Sequence, residues 1–517
     1  MDTLTDQKNR WVQTLTLDPP SLKDNTADAD RLVNALKSRF EVETFDLEID
    51  LDLLGRLPEL LRKWDYRVRC TLFKDRSRWF VSGIHDGRTD TPAVGLAVDL
   101  GTSTVVLRLT DLVSGEILAE SSFNNPQITI GPDILTRIHF ADQQNGLLQL
   151  QALIIDGINR QIGNLSRSGG LGREDILLVS VAGNTAMTHL FLGLDPRWMI
   201  REPYIPVVNR PGLLRADEIG IQVSAGARVF VFPNIGSYFG GDLIAGILYS
   251  QIHRQEETAI LVDVGTNAEV VLGNKHWLIA CAGAAGPALE GGVTRMGMMA
   301  GPGVIDRVSI DRRTRRFDIH TIDDAPPKGI CGSGLIDLAA ELFLSGMIDI
   351  RGRFLLPACG HRVTDHDGLT HLEVVSADEA ADGKSLTISQ ADLDSLIRSK
   401  AAMYTILETI TTTVGVSMND LAAFYVAGTF GAFIQPASAI AIGMIPDLPL
   451  SVYHTLGNSC LRGATMALLS AGITEEIDQI RDRITYLELN VNQDFMNRFS
   501  AAKFLPHTDP TRFPSVR

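Results

Sequence analysis

The chain has 517 residues, of which 45% are hydrophobic and 21% are charged. This balance is typical of globular proteins and excludes disordered, fibrous and collagen-like chains; the length predicts about three to four folding units. The 62 acidic residues outnumber the 47 basic ones and give a formal net charge of −15. Because such a charge repels polyanions, we expect no nucleic-acid partner and no binding to anionic membranes.

Targeting and cysteine patterns set further limits. The first residues, MDTLTDQKNRWVQ, contain neither the basic nor the apolar region of a secretory signal, so we predict a cytoplasmic protein. The five cysteines lie 28 or more positions apart, unlike those of a zinc site, a disulfide framework or a ferredoxin. We therefore predict no iron–sulfur cluster in this chain. The uncharged stretch 421–446 contains glycines and prolines, and we interpret it as core rather than a membrane span.

Residues 1–92 are predicted to form a small α+β domain. Apolar residues recur at helical spacing over 30–37, and a second short helix is predicted over 58–64, with Pro58 in its first turn. Alternating residues over 66–73 and 78–84, joined by a charged turn, predict a hairpin.

A repeated segment then predicts two related lobes. Asp99-Leu-Gly-Thr and Asp263-Val-Gly-Thr each follow an apolar strand and precede a second strand, and they are 164 residues apart. This separation is too long for a solenoid repeat. Strands and helices alternate between the two copies, which indicates an α/β fold. We predict lobe I over 93–258, lobe II over 259–456 with an insertion at about 310–390, and a C-terminal helix and tail over 457–517.

The repeated turn has a chemistry that suits phosphate. Gly101 is expected to take a positive φ and to let the backbone approach a ligand, and the N–H and hydroxyl groups that follow it could cradle phosphate oxygens. Asp99 fits there if Mg²⁺ or its waters lie between carboxylate and phosphate. One such turn is most often structural, but two in register are much less expected by chance. The candidates are Asp99, Gly101, Thr102, Ser103 and Thr104 in the first copy and Asp263, Gly265, Thr266 and Asn267 in the second.

A third element is the strand and turn over 424–431. Its glycines, Gly428 and Gly431, would let a flat ring system lie against the backbone, although a plain strand-to-helix turn is the better explanation when the segment is taken alone. The chain contains no G-x-x-x-x-G-K-[ST] loop and no dinucleotide-binding signature, so neither of those nucleotide folds is indicated.

These segments together resemble the ASKHA superfamily of ATP-binding proteins, which includes acetate and sugar kinases, Hsp70 and actin. Within it, the chain is most similar to the reductive activators of corrinoid enzymes. The similarity extends over nearly the whole chain and includes Val181-Ala-Gly-Asn-Thr-Ala-Met, Phe239-Gly-Gly-Asp and Gly329-Ile-Cys-Gly-Ser-Gly. The resemblance implies two duplicated ribonuclease-H-like lobes behind the small N-terminal domain, which it implies is the middle-type domain of the family.

The resemblance also implies an activity. Such an activator uses ATP to drive Co(II) to Co(I) on a corrinoid protein or a corrinoid-dependent methyltransferase. Asp99 and Asp263 would then be catalytic and would hold Mg²⁺ or its waters, the hairpin residues would hold phosphates, and Gly428, Thr429 and Gly431 would line adenosine. Glu290 would position the attacking water or cap its glycine-rich loop, and Lys400 would reach the nucleotide or lie on the surface.

The chain departs from the family in one respect and leaves alternatives open. Activators of this kind commonly carry an iron–sulfur domain, so the missing cysteine pattern implies either a separate ferredoxin or flavoprotein as donor, or a fragment. A small-molecule kinase on the same fold would use Asp242 or Glu290 as base. An activator of a dehydratase would need a cluster, for which Cys281 and Cys331 are the candidates. The oligomeric state is open, with a homodimer among the options.

Overall fold

The computed structural model describes residues 10–237, 239–265, 268–283, 294–366, 368–428, 434–487, 489 and 493–516. The chain divides into two compact units. Unit 1 comprises the residues up to Tyr249 together with Ser459–Asp482, and unit 2 comprises Ser250–Asn458 together with the residues from Arg483 onward. The C-terminal segment predicted as one piece, 457–517, is thus divided between the two units.

The N-terminal part of unit 1 has the predicted α+β character. Its sheet has the order β1-β3-β4-β2, and two helices cover it. The predicted hairpin is β3–β4, but the predicted start of the second helix is wrong, because that helix begins seven residues before Pro58 and the proline lies inside it. The elements are β1 (Val12–Thr16), α1 (Asp28–Phe40), β2 (Leu47–Glu48), α2 (Leu51–Lys63), β3 (Arg67–Asp75) and β4 (Arg78–Asp86).

The helix α2 follows from its apolar spacing. Leu53, Leu57 and Leu61 recur every four residues and are all buried, so they form one apolar stripe against the sheet. Pro58 is exposed. The carbonyl that its missing N–H leaves unpaired on that side of the helix can be hydrated, which explains why a mid-helix proline is tolerated here.

The rest of unit 1 is built on a six-stranded sheet of order β7-β6-β5-β8-β10-β9. The first three strands are an antiparallel meander, and β8 and β10 continue the sheet in parallel to β5. The elements are β5 (Val94–Leu100), β6 (Thr104–Asp111), β7 (Ile117–Asn124), α3 (Ile134–Ala141), α4 (Gly146–Ser168), β8 (Ile176–Gly183), α5 (Thr185–Leu192), β9 (Leu213–Arg215), β10 (Arg228–Val231) and α6 (Gly241–Ser250).

Unit 2 repeats this arrangement in a sheet of order β21-β20-β11-β12-β13-β22. Here β11, β12 and β13 form the meander, and β20 and β21 run parallel to β11. The sheet elements and the long helix are β11 (Ala259–Val264), β12 (Ala268–Gly273), β13 (Leu278–Gly283), α9 (Gln390–Thr413), β20 (Ala423–Ala427), β21 (Tyr453–Gly457) and β22 (Ile484–Tyr486).

The duplication extends to single residues. Asp99 is paired with Ala182 of β8, and Asp263 is paired with Ala427 of β20. A glycine follows the alanine in both copies. The predicted duplicated α/β fold is therefore confirmed, and each aspartate lies near the end of the central strand of its own sheet.

The remaining elements of unit 2 include two small sheets, of order β15-β14-β16 and β17-β18-β19. The stretch 421–446 contributes β20 and a short helix, and most of its described residues are buried in the core, as predicted. Among the helices of the described ranges, none is long and apolar enough to cross a membrane. The elements are β14 (Val304–Ile310), β15 (Phe317–Thr321), β16 (Gly329–Ile330), α7 (Gly332–Leu344), α8 (Leu356–Cys359), β17 (Val363–His366), β18 (Leu369–Val375), β19 (Leu386–Ser389), α10 (Pro436–Ala441), α11 (Ser459–Ala467), α12 (Ile473–Arg483) and α13 (Gln493–Ala502).

The N-terminal sheet is fastened to the rest of unit 1 by buried polar contacts. Arg210 donates to Asp75 of β3 at 2.5 Å and to Asp478 of α12 at 2.8 Å, and its side chain is only 9% exposed. Trp11 is buried and donates from Nε1 to the carbonyl of Ala467 in α11. Because a buried ion pair is costly to break, these contacts join the N-terminal sheet, which has its own hydrophobic core, to the rest of unit 1.

Candidate functional site

The turn between β5 and β6 carries the first predicted site. Asp99 is partly buried near the end of β5, opposite Val106 of β6. A Cβ atom at Gly101 would collide with the carbonyl oxygen of Thr104. Gly101 does not have a positive φ, so that expectation is wrong. Glycine is needed at this position because the backbone of Thr104 approaches it too closely for a side chain.

Three side chains from outside the hairpin hold this turn. The amide of Asn125 donates to the carbonyl of Gly101 at 3.0 Å, and the guanidinium of Arg137 in α3 donates to the carbonyl of Thr102 at 2.8 Å. Asn184 donates from its side-chain amide to the hydroxyl of Thr102 at 3.0 Å. These bonds fix the turn through the carbonyls of Gly101 and Thr102 and the hydroxyl of Thr102.

Asn184 also starts the helix α5. Its side-chain oxygen accepts from the N–H of Met187 at 2.9 Å and so caps the helix. The N-terminus of α5 therefore lies at the predicted phosphate hairpin between β5 and β6, and its positive end favours anions there. Sequence reasoning did not assign Asn184 a role, although its place in Val181-Ala-Gly-Asn-Thr, which parallels the Val-Ala-Gly-Thr before Phe430, is a signal that could have found it.

A second carboxylate lies at this edge of the sheet. Asp242 is at the beginning of α6, and a Cβ atom at Gly240 would lie 2.6 Å from Asp242 Oδ1 and 2.5 Å from the carbonyl oxygen of Gly183. Burial, and then the nearby charge of Asp99, raise the pKa of the Asp242 carboxyl to about 6. Two neighbouring carboxylates of this kind are a candidate site for a cation.

Unit 2 brings together three of the predicted residues. Asp263 lies in β11, Gly265 follows that strand, and Gly428 follows β20 with a φ of 87°. A Cβ atom at Gly428 would lie 2.8 Å from Asp263 Oδ1 and 2.6 Å from the carbonyl oxygen of Val264. The predicted phosphate turn and the predicted adenosine turn are thus neighbours. Thr266, Asn267, Glu290, Thr429 and Gly431 lie outside the described residues.

The two interpretations of Lys400 are not supported by the structure. Its side chain is 0% exposed, so it is not a surface lysine. Its ammonium donates to the carbonyls of Phe504 at 2.5 Å and Pro506 at 2.8 Å, and burial lowers its pKa well below the usual value. Because both contacts are with the C-terminal segment and the group is enclosed, its assignment as a nucleotide ligand is corrected to a structural role.

The cysteines considered for a cluster are both in the core. Cys281 lies in β13, and burial raises the pKa of its thiol. Cys331 precedes α7 and its sulfur contacts the hydroxyl of Ser333 at 3.2 Å. Within the ranges that the structure describes, no group of three or more His, Cys, Asp or Glu side chains is arranged to hold a metal ion.

Comparisons with known families cover almost the whole chain. The profile of the RACo linker region matches residues 9–91, that of the RACo middle region matches 94–255, and that of the C-terminal domain of RACo, the ASKHA domain, matches 257–517. The prediction that 1–92 is the middle-type domain is thus wrong. The middle region is 94–255, and the preceding segment is the linker region.

Individual proteins are similar over most of their length. A solved structure of a reductive activator for corrinoid, iron–sulfur protein superposes with a TM-score of 0.89 at 36% identity and covers 99% of this chain and 82% of its own. The corrinoid activation enzyme RamQ of Eubacterium limosum is 29% identical over 87% of this chain and 79% of its own length. The [Co(II) methylated amine-specific corrinoid protein] reductase of Methanosarcina barkeri is 25% identical over 78% of this chain and 75% of its own.

Proposed function

The chain belongs to the RACo family, and we propose that it is an ATP-dependent reductive activator of a corrinoid protein or corrinoid-dependent methyltransferase. It would use ATP to drive the one-electron reduction of Co(II) to Co(I), with the electron supplied by a separate ferredoxin or flavoprotein. The names of its relatives support the corrinoid partner. The hydrolysis of ATP and the cytoplasmic location are part of the proposal.

The observation that carries the nucleotide part is the convergence at the edge of the unit 1 sheet. Asp99 and Thr102 of the hairpin, Asn184 and Asp242 come from three separate segments and lie around one turn. Hydroxyl and helix N-terminal groups there suit phosphate oxygens, and the carboxylates suit a divalent cation. A phosphate ester bound with a cation is the ligand that uses both sets of groups.

The residues fit Mg²⁺. The pKa of Asp242 is raised in part by the charge of Asp99, and a cation near both carboxylates would relieve that repulsion. We propose that Asp99 in unit 1 and Asp263 in unit 2 hold Mg²⁺ directly or through its waters. When bound, Mg²⁺ would neutralise charge on the phosphates. The hydroxyl and N–H groups of each hairpin would orient phosphate oxygens.

The remaining roles follow the two copies of the turn. In unit 1, Gly101, Thr102, Ser103 and Thr104 would bind phosphate. In unit 2, Gly265 with Thr266 and Asn267 would do the same, Gly428 with Thr429 and Gly431 would line adenosine, and Glu290 would position the attacking water. Asp242, first considered as a kinase base, would help Asp99 to hold the cation or its waters.

The test is a visible-absorption time course of a purified Co(II) corrinoid protein with a low-potential reductant. The Co(I) spectrum should appear with this protein and Mg-ATP, and it should be absent without ATP or with Asp99→Asn. Asp156→Asn is the matched control, because Asp156 is an exposed residue of α4 and loses the same charge. No Co(I) with any member of a panel of corrinoid proteins would contradict the proposal, and ATP consumption stimulated by a small molecule alone would favour a kinase.

A further inference from the structure

Arg137 is a fully buried cation directly behind the phosphate hairpin of unit 1. It lies in α3, and its side chain is 0% exposed. Its guanidinium donates to the carbonyls of Gly131 at 2.9 Å and Thr102 at 2.8 Å, and to Gln127 Oε1 at 3.2 Å. The sulfur of Met187 is a further neighbour at 3.3 Å. All of these partners are uncharged.

Among the described residues, no carboxylate forms an ion pair with this guanidinium. Among the ion pairs of the described residues, Arg137 takes part in none. The negative charge of Asp133 acts on the guanidinium electrostatically. The hydrogen bonds of that carboxylate come from the N–H and hydroxyl of Thr136. Burial lowers the pKa of the Arg137 guanidinium to about 10, so it stays charged at neutral pH. A buried cation without a counter-ion is costly, which indicates that an anion belongs nearby.

The hydrogen bonds to the turn determine where that anion lies. In a trans peptide the C=O and N–H groups point in opposite directions. Because Arg137 holds the carbonyl of Thr102 and Asn125 holds that of Gly101, the N–H groups of Ser103 and Thr102 point away from both side chains. A cation bonded to a carbonyl also polarises the N–H of the same peptide. The two donors are therefore aimed away from Asn125 and Arg137, and the N–H of Ser103, whose peptide is bonded to the guanidinium, is strengthened as a donor to an anion.

The hydrogen bond to the Thr102 carbonyl does not by itself require a charged donor. The neighbouring carbonyl, that of Gly101, is served by the neutral amide of Asn125 at 3.0 Å. A glutamine or asparagine could in principle serve Thr102 in the same way, and burial of a neutral amide costs much less than burial of a guanidinium. The hydrogen bond to Thr102 therefore does not explain why this side chain carries a positive charge.

We propose that Arg137 is a positioning residue of the nucleotide site, which acts as an internal counter-ion for the bound phosphates through the peptide of Thr102 and Ser103. This inference rests on the proposed function, because it assumes that the hairpin binds a nucleotide. Arg137 does not touch the phosphates. It aims and polarises the groups that do, and its field favours ligands with more phosphate charge.

The test compares the affinities of wild type, Arg137→Gln and Arg137→Lys for ATP, ADP and adenosine by calorimetry in the presence of Mg²⁺. The glutamine variant should bind ATP at least about tenfold more weakly, ADP somewhat more weakly, and adenosine within about twofold of wild type. The lysine variant, which keeps the charge, should recover most of the ATP affinity. Arg160→Gln is the control, since Arg160 is an exposed cation on α4, and Arg137→Met is a second neutral variant if the glutamine variant does not fold.

Each outcome is decisive. Unchanged ATP affinity in a folded neutral variant, or equal losses for ATP and adenosine, would overturn the inference and leave the proposed function standing. Failure of both neutral variants to fold would make Arg137 a structural group and would overturn it as well. If wild type itself binds neither ATP nor ADP, the proposed function fails and this inference fails with it.

Discussion

Both compact units bury a cation, but the two cations face different parts of the chain. In unit 1, Arg137 donates to the turn that follows Asp99. In unit 2, Lys400 of α9 donates to the carbonyls of Phe504 and Pro506 in the C-terminal segment. Neither cation has an acidic partner among the described ion pairs, and both are 0% exposed. The same local chemistry therefore supports the proposed ligand site in one unit and chain packing in the other.

The difference in residue type agrees with these roles. Arginine keeps its charge inside a protein, whereas a buried lysine readily loses its proton. The lowered pKa of Lys400 shows that its environment disfavours the charge. A group that only binds two carbonyls can be neutral, but a counter-ion for phosphate cannot. The role of a buried basic side chain in a duplicated fold therefore depends on which groups accept its hydrogen bonds.

The largest effect is expected when either of the two equivalent carboxylates is removed. Asp99→Asn and Asp263→Asn should each lower Mg-ATP turnover at least about a hundredfold, because each removes a proposed Mg²⁺ ligand, while the fold is retained. Phosphate release and circular dichroism measure the two quantities, with Asp156→Asn as control. Near-normal turnover in both variants would show that the repeated hairpins are structural turns.

The comparison of the two cations predicts a stability effect without a binding effect. Lys400→Ala should lower the free energy of unfolding by about 2–4 kcal/mol, because it removes a buried side chain and leaves two carbonyls without their donor. The affinity for ATP should stay within about twofold of wild type. Urea denaturation and calorimetry give the two values, with the exposed Lys384→Ala as control. A loss of ATP affinity at unchanged stability would restore the nucleotide role of Lys400.

The raised pKa of Asp242 predicts that the stability of unit 1 depends on pH. Its folded pKa of about 6 lies above the usual 3.8, so in metal-free protein the carboxyl stabilises the fold below pH 3.8, and this contribution is lost as the pH rises through about 6. Asp242→Asn should therefore be more stable than wild type by about 2–3 kcal/mol at pH 8, and the advantage should shrink to about a third at pH 4.5.

Urea titrations in EDTA at several pH values test this expectation. Asp156→Asn should show no such trend, because Asp156 is exposed. A difference between Asp242→Asn and wild type that stays constant from pH 4.5 to 8 would contradict the raised pKa of the buried Asp242 carboxyl.

The smallest effects are expected from two variants of Asn184, which separate its hydrogen bond to Thr102 from its role as the cap of α5. Asn184→Ser retains a helix cap but loses the donor to Thr102, so ATP affinity should fall about three- to tenfold while stability stays within about 0.5 kcal/mol of wild type. Asn184→Ala loses the cap as well and should cost about 1 kcal/mol more. Equal ATP affinity in wild type and both variants would remove Asn184 from the site.

The sequence was sufficient for features that depend on local pattern. The repeated Asp99 and Asp263 turns and the strands around them predict the two sheets, because alternation and turn chemistry are local. The interior position of Pro58 was missed, since the buried leucines of α2 outweigh the cost of a proline on its exposed face. Positive φ was expected at Gly101, but the constraint there is contact with Thr104.

The supporting residues of the site could not be predicted in this way. Asn184 contacts Thr102 across 82 positions and Arg137 contacts it across 35, and no local periodicity encodes such contacts. A lone arginine or lysine in a helical pattern is usually exposed, so neither Arg137 nor Lys400 gives a signal of burial. Their roles follow only from the tertiary structure.

The most direct test of ATP-driven reduction is the final Co(I) fraction of a corrinoid protein held at a fixed reductant potential. If ATP supplies differential affinity for two states of the complex, that fraction should rise when Mg-ATP is added to wild type and should stay at its starting level with Asp99→Asn. If the same final fraction is reached without ATP, only more slowly, then ATP does not drive the reduction and the proposed function is contradicted.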